Sequence, residues 1–196
     1  MNYLAHAYLS NNNEDLILGN FIADHIKGNN YKHYSQNIIN GILLHRKIDH
    51  FTDNHIQFKN AKRYFYDGYE KYAGILIDIY FDYFLASEFQ KHCHLSLLNF
   101  TENVYKIYDD FKYEMPKSSQ NFYNYIIQND IYNAYATLEG IEKVLFHLSH
   151  RINHGVMLNH SINLFNKHKT ELYFCFLKFI VDAKNNLTPN NNGFYK

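Results

Sequence analysis

The chain has 196 residues, 46% of them apolar, which is enough for one enclosed core and excludes disorder as its resting state. Nineteen Lys and Arg balance nineteen Asp and Glu, so no net positive field draws it to nucleic acid, and non-specific DNA or RNA binding is excluded as its main role. The longest apolar stretch, Leu172 to Val181, is interrupted by Lys178 and too short to span a bilayer. Cys93 and Cys175 lack zinc-type spacing, and no signal peptide is read at the N-terminus, so a cytoplasmic location without membrane association is expected.

Two prolines and eight glycines leave room for long helices, and the rings are all Tyr and Phe. Met1 to Ser10 is a short apolar segment with His6 at its middle. After the polar turn Asn11–Asn13, Asn13 reads as an N-cap with Glu14 and Asp15 in the first turn, where acids suit the helix dipole. That helix is predicted to reach about Ile26, with Gly28 as its stop, and it carries Asp24. A second helix is predicted from Ser35 or Gln36 to about Thr52, with Ile38, Ile39, Ile42 and Leu43 on its apolar face. A third, basic segment covers Ile56 to about Tyr66. The fourth, about Tyr69 to Phe89, is nearly continuous in apolar residues apart from Asp78 and Asp82, which predicts a central position.

Further helices are predicted near 98–111, 120–128, 138–153 and 162–183, with a stop at Pro116. No alternating strand pattern occurs. The expected fold class is all-α: a compact single-domain helical bundle over residues 1–184, followed by a flexible tail at 185–196.

Ionisable residues that break the helical pattern mark the chemistry. Asp78 and Asp82 stand four apart and share a helix face, and a buried carboxylate pair demands a cation, either a metal ion or arginine partners. His45, Asp49 and Asp53 repeat the four-residue step, with Gly41 one step earlier as a small residue leaving room. His45 with Asp49 at this spacing can present two ligands to one cation; a surface helix with Arg46 bridging Asp49 or Asp53 is the plainer alternative. Asp24 and His6 read as a solvated acid and a core histidine when taken alone, and as candidates for the same centre when taken together. Lys59, Lys62 and Arg63 form a modest basic patch, either a solvated face or a docking surface for an acidic partner. His25, His33, His50 and His55 read as surface residues or as outer support for the centre.

Several motifs occur in order: Met1-Asn2-Tyr3-Leu4-Ala5-His6, Gly19-Asn20-Phe21-Ile22-Ala23-Asp24, Gly41-Ile42-Leu43-Leu44-His45-Arg46-Lys47-Ile48-Asp49 and Phe51-Thr52-Asp53. Tyr72-Ala73-Gly74-Ile75, Asp78, Asp82-Tyr83-Phe84-Leu85-Ala86, Leu138-Glu139-Gly140-Ile141-Glu142 and Arg151 follow. From Met1 to about Ala183 the chain resembles the acyl carrier protein phosphodiesterase family. The resemblance implies an HD-phosphohydrolase-like helical enzyme of lipid metabolism and fatty acid biosynthesis. It would use a divalent metal, foremost Mn2+ with Mg2+ or Fe2+ as alternatives, to remove 4′-phosphopantetheine from holo-acyl carrier protein.

On this reading His6, Asp24, His45, Asp49, Asp78 and Asp82 are the metal set, the five other than His6 are catalytic, and Lys27 and Arg46 neutralise phosphate oxygens. Lys59, Lys62 and Arg63 would then steer docking of the acidic carrier protein. Relatives often carry histidine where this chain has Tyr83, which would alter metal affinity or choice if that position belongs to the site. The same chemistry on a nucleotide or another small phosphoester is one alternative. A helical binding module whose buried acids are held by arginines is another. Oligomeric state is not encoded in these features.

Overall fold

The computed structural model describes residues 2–152 and 155–188. In chain order the helices are α1 (Tyr3–Leu9), α2 (Glu14–Ile22), α3 (Gln36–Asn54), α4 (Ile56–Lys62), α5 (Tyr66–Tyr69), α6 (Ala73–Ser87) and α7 (Phe89–His92). They continue with α8 (Leu97–Asp110), α9 (Lys117–Gln128), α10 (Ile131–Ala134), α11 (Leu138–Ile152), α12 (Ile162–Lys167) and α13 (Lys169–Leu187). No strand occurs among the described residues, so the fold is all-α as expected.

Local chemistry accounts for most boundaries. The Asn13 side chain accepts from the Leu16 N–H at 3.0 Å and Ser35 from the Ile38 N–H at 3.3 Å, satisfying first-turn donors of α2 and α3. α2 stops at Ile22, earlier than its pattern suggests, and tightens into a 3-10 turn over Ala23–His25. The fourth predicted helix starts only at Ala73: the chain turns at Gly68, whose φ of 83° belongs to glycine, and then passes through a 3-10 turn over Glu70–Tyr72. The long helix expected at 162–183 is two helices, α12 and α13, parted at His168. α13 then runs on through Leu187, which is buried, past the point where the tail was expected to begin. Residues 189–196 of that tail, and Asn153 of the helix expected at 138–153, lie outside the described residues.

α6 is the central helix, with eleven of its fifteen residues buried, and it packs against α1, α4, α11 and α13. Aromatic side chains fill the layers around it. Tyr80 stacks on Phe165 at 4.3 Å between centroids, and its hydroxyl bonds Ser161 Oγ at 2.7 Å, so the ring is buried without stranding its polar end. Phe81 meets Phe58, Phe176 and Phe179.

α2 and α3 cross at two glycines. A Cβ on Gly19 would lie 2.1 Å from the Ile38 carbonyl oxygen, and one on Gly41 would lie 2.6 Å from the Leu16 carbonyl oxygen. The space expected above the ligands at Gly41 is thus taken by the backbone of α2. Because the obstacles are backbone atoms, no side chain can swing aside. Gly41→Ala is expected to destabilise the fold by about 1–3 kcal/mol or more. Urea unfolding checks this, and a change within about 0.5 kcal/mol, the range of an ordinary surface substitution, would contradict the crossing.

Candidate active site

The glycine crossing sets Asn20 of α2 beside His45 of α3, and α1 brings His6 onto the same spot. Asn20 is 1% exposed and organises the cluster. Its Oδ1 lies 2.7 Å from His6 Nδ1 and 2.9 Å from His45 Nδ1, while its Nδ2 donates to the His6 carbonyl at 3.0 Å and to Ser10 Oγ at 3.1 Å. A backbone carbonyl can only accept, so the amide orientation is determined and its oxygen must face the two rings. Both Nδ1 atoms are therefore donors. In a neutral imidazole, Nε2 is then a lone pair.

Those Nε2 atoms face carboxylates. His45 Nε2 is 3.0 Å from Asp24 Oδ1 and 3.1 Å from Asp49 Oδ2, and His6 Nε2 is 3.3 Å from Asp49 Oδ1. Lone pairs opposed to carboxylate oxygens repel, so the cluster calls for positive charge between them, either protons or a metal ion. Burial pulls His45 down, but the hydrogen bonds and charges of Asp24 and Asp49 outweigh it and raise its pKa from 6.5 to about 9. His6 goes the other way: burial, with the nearby His45, lowers it despite Asp49. The ring centroids are 4.3 Å apart, too close for two imidazolium charges. Asp49 is held well below the carboxylate range because His45 and His6 outweigh its burial, and Asp24 is lowered chiefly by its bond to His45. One proton thus serves a gap faced by two nitrogens and two carboxylates. Ligand atoms of His6, His45 and Asp49 lie within 4.8 Å of one another, close enough to share one cation.

The cluster forms the polar end of a cavity of about 490 Å³. Asp78 lines it, as do Tyr3, whose hydroxyl donates to Asp24 Oδ2 at 3.4 Å, and Arg151 from the last turn of α11. The rest of the wall is apolar, supplied by α6, α9 and α11 through side chains such as Ile79, Phe122 and Leu148. The half-exposed side chains of Asp24 and Asp49 give the cluster access to this space.

Of the expected site residues, His6, Asp24, His45, Asp49 and Asp78 come together around this cavity. Asp82 does not line it. One turn beyond Asp78, its carboxylate is fully buried under the start of α1, where Oδ2 accepts from the Leu4 N–H at 3.0 Å and Oδ1 from the Ala5 N–H at 3.2 Å. It anchors the helix that carries His6. Arg46 also points elsewhere: its Nη2 donates to the Gly28 carbonyl at 2.7 Å and its guanidinium covers the Tyr31 ring, tying the loop after α2 to α3. Lys27, Asp53, Lys59 and Arg63 are exposed, and neither they nor half-buried Lys62 line the cavity. Tyr83 lies outside it too. Its hydroxyl accepts from Lys169 Nζ at 3.0 Å and its ring meets Phe165 edge-on, so tyrosine here touches the core rather than the site. His55 pairs with Asp182 at 3.2 Å, away from the centre. Asp24, Asp49 and Asp82 meet histidines, a tyrosine and backbone amides, and no arginine or lysine pairs with them among the described residues.

Burial pushes the Asp82 carboxyl from 3.8 up to about 8, against the pull of the two backbone N–H groups. A raised carboxyl favours folding while protonated, so its contribution is complete below about pH 4 and is lost as pH rises to about 8. Asp82→Asn is expected to flatten this part of the stability–pH profile of the metal-free protein. Thermal melts from pH 4 to 8 check it, and an unchanged slope would assign the titration to another group.

An all-helical protein with a buried histidine–aspartate centre at the polar end of an apolar cavity is the class that fold and site define. Residues 1–183 match the family model for acyl carrier protein phosphodiesterase, and the chain belongs to that family. It is 34% identical over 152 residues to the acyl carrier protein phosphodiesterase of Serratia proteamaculans, covering 77% of this chain and 79% of the relative. It is 29% identical over 180 residues to that of Pectobacterium atrosepticum, covering 91% and 93%. No solved structure gives a significant match.

Proposed function

We propose that the protein hydrolyses the phosphodiester linking 4′-phosphopantetheine to holo-acyl carrier protein, yielding the apo-protein and free 4′-phosphopantetheine, with a divalent cation held by His6, Asp24, His45 and Asp49. The observation that carries this is the double hydrogen bond of Asn20 Oδ1 to both Nδ1 atoms, which turns two Nε2 lone pairs toward two carboxylates. The donor set of two imidazoles and two carboxylates suits Mn2+ first, with Fe2+ and Mg2+ as alternatives. Such a cation, when bound, supplies Lewis-acid activation of the attacking water and of the phosphoryl oxygens.

The chain's own residues do the rest. Asp78 receives the proton of the attacking water and returns it to the serine oxygen of the carrier protein as the P–O bond breaks, so that serine leaves as its hydroxyl. The apolar wall of α6, α9 and α11 shelters the methyl and methylene groups of the pantetheine arm and excludes bulk water from the diester. In this reading the protein is an HD-type phosphohydrolase acting in the cytoplasm. No helix among the described residues is long and apolar enough to cross a membrane.

Intact-mass analysis of holo-acyl carrier protein incubated with the enzyme and Mn2+ tests the reading. Loss of the phosphopantetheine mass, blocked by chelator, is expected. An unchanged mass with metal bound would overturn this substrate and leave nucleotides and small phosphoesters to be tried.

Docking of the acidic carrier protein would fall to Lys59, Lys62 and Arg63, which stand outside the cavity and so act only on long-range approach. Reversing all three charges is expected to raise KM for the carrier protein by about tenfold at low salt while leaving a small phosphodiester unaffected. Equal losses on both substrates would contradict a docking role.

A further inference from the structure

We infer that Arg151 is the residue that binds the phosphate of the substrate. The inference rests on the phosphodiesterase reading above and adds a residue to it. Among the described residues lining the cavity, Arg151 is the sole Lys or Arg, set against Asp24, Asp49 and Asp78. An anionic diester entering a space with three carboxylates needs more positive charge than one cation site supplies. No ion pair occupies Arg151: no Asp or Glu lies within salt-bridge distance of it among the described residues.

Arg151 lines the same cavity wall as Tyr3 and Tyr125, and Tyr3 in turn bonds Asp24. Arg151 therefore shares the cavity with the His45–Asp24 end of the cluster, beside which the reacting phosphorus must lie if His6, Asp24, His45 and Asp49 hold the cation. A planar fork of N–H donors fits two phosphoryl oxygens, so Arg151 grips the group during its attack by water. Lys27 and Arg46, the cations expected from the sequence to meet the phosphate, are not in the cavity and leave this task to α11.

A basic residue in the last turn of a helix also suits the helix dipole, and that plainer role makes a different prediction. It touches stability and not phosphate. The test uses the full chain loaded with Mn2+ and three variants, Arg151→Gln, Arg151→Lys and Arg151→Ala. Calorimetric titration with inorganic phosphate is expected to show at least about tenfold weaker binding in Arg151→Gln, and kcat/KM on holo-acyl carrier protein should fall about 10²-fold. Mn2+ affinity and melting temperature should stay at wild-type values. Arg151→Lys should recover only part of the loss, and millimolar guanidinium in the buffer should restore part of the activity of Arg151→Ala.

Wild-type kcat/KM in Arg151→Gln, with the wild type active, would overturn the assignment and leave the phosphodiesterase reading intact. A wild type inactive on holo-acyl carrier protein would overturn that reading instead. Phosphate binding would then decide the assignment alone, weakened binding upholding it and unchanged binding ending it. A drop in melting temperature that accounts for the lost activity, with phosphate binding unchanged, would make Arg151 a helix-end residue and nothing more.

Discussion

Asn20→Leu is expected to remove metal binding while leaving most of the helical fold in place. The amide oxygen accepts from both histidine Nδ1–H groups, at 2.7 and 2.9 Å, and leucine offers neither ring a partner. Each buried N–H left unsatisfied costs about 1–3 kcal/mol. The rings escape that cost by rotating or by moving the proton to Nε2, and either response withdraws the lone pair that would bind the cation. Loss of an outer hydrogen bond to one ligand typically lowers metal affinity about 10- to 100-fold. Asn20 serves two ligands at once, so a loss of about 10³-fold or more is expected, with activity falling in step. Mn2+ titration of the purified variant reads this directly. Near-wild-type affinity in Asn20→Leu would show that the tautomers are set by something else.

Asp49→Asn should have a comparable effect on turnover by a different route. Asp49 is the one carboxylate that faces both histidines, His6 Nε2 at 3.3 Å and His45 Nε2 at 3.1 Å. Asparagine preserves the shape but brings a neutral oxygen or an N–H into the gap. Losing a charged ligand removes several kcal/mol of transition-state stabilisation, so kcat should drop by about 10³-fold or more.

The metal-free protein gives an independent reading of the same pair. Asp49 is depressed from 3.8, so its contribution to stability is present above that value and fades as pH falls below it. His45 is raised from 6.5 to about 9, so its contribution is complete below 6.5 and fades through 9. The pair therefore supports the fold most between about pH 4 and 6.5, and Asp49→Asn should lower the melting temperature most in that window. An equal decrease at every pH from 3 to 10 would mean that the substitution acts through packing alone.

Helical periodicity and capping residues made the architecture legible in advance. Asn13 and Ser35 were readable as caps, and the apolar run around Asp78 marked the central helix. The turn at Gly68 falls where the third and fourth predicted segments part, but the later start of α6 at Ala73 and the break at His168 were not readable from the apolar pattern. In the site, four-residue spacing identified His45 with Asp49, and the same spacing misassigned Asp82. A shared helix face does not tell which neighbour each carboxylate meets, and α1 begins over Asp82 while the cavity opens beside Asp78.

Asn20 was legible only as a member of the Gly19–Asp24 motif. Yet a polar side chain among the seven consecutive buried residues from Leu16 to Ile22 carries the same kind of signal that singled out Asp78. Arg151 and the wall of α9 and α11 were out of reach of spacing arguments, because the tertiary fold brings them to α1 and α3 from distant parts of the chain. Arg46 shows the converse. Its nearness in sequence to His45 pointed to phosphate, whereas its carbonyl partner at Gly28 makes it a loop clamp.

The most direct test of the centre is electron-nuclear spectroscopy of Mn2+ bound to the wild-type protein. One tightly held ion with two distinct imidazole nitrogen couplings is predicted, reduced to one coupling in His6→Ala and likewise in His45→Ala. An ion without nitrogen coupling, or with couplings unchanged in both variants, would show that the cation binds elsewhere and would contradict the centre described for His6, Asp24, His45 and Asp49.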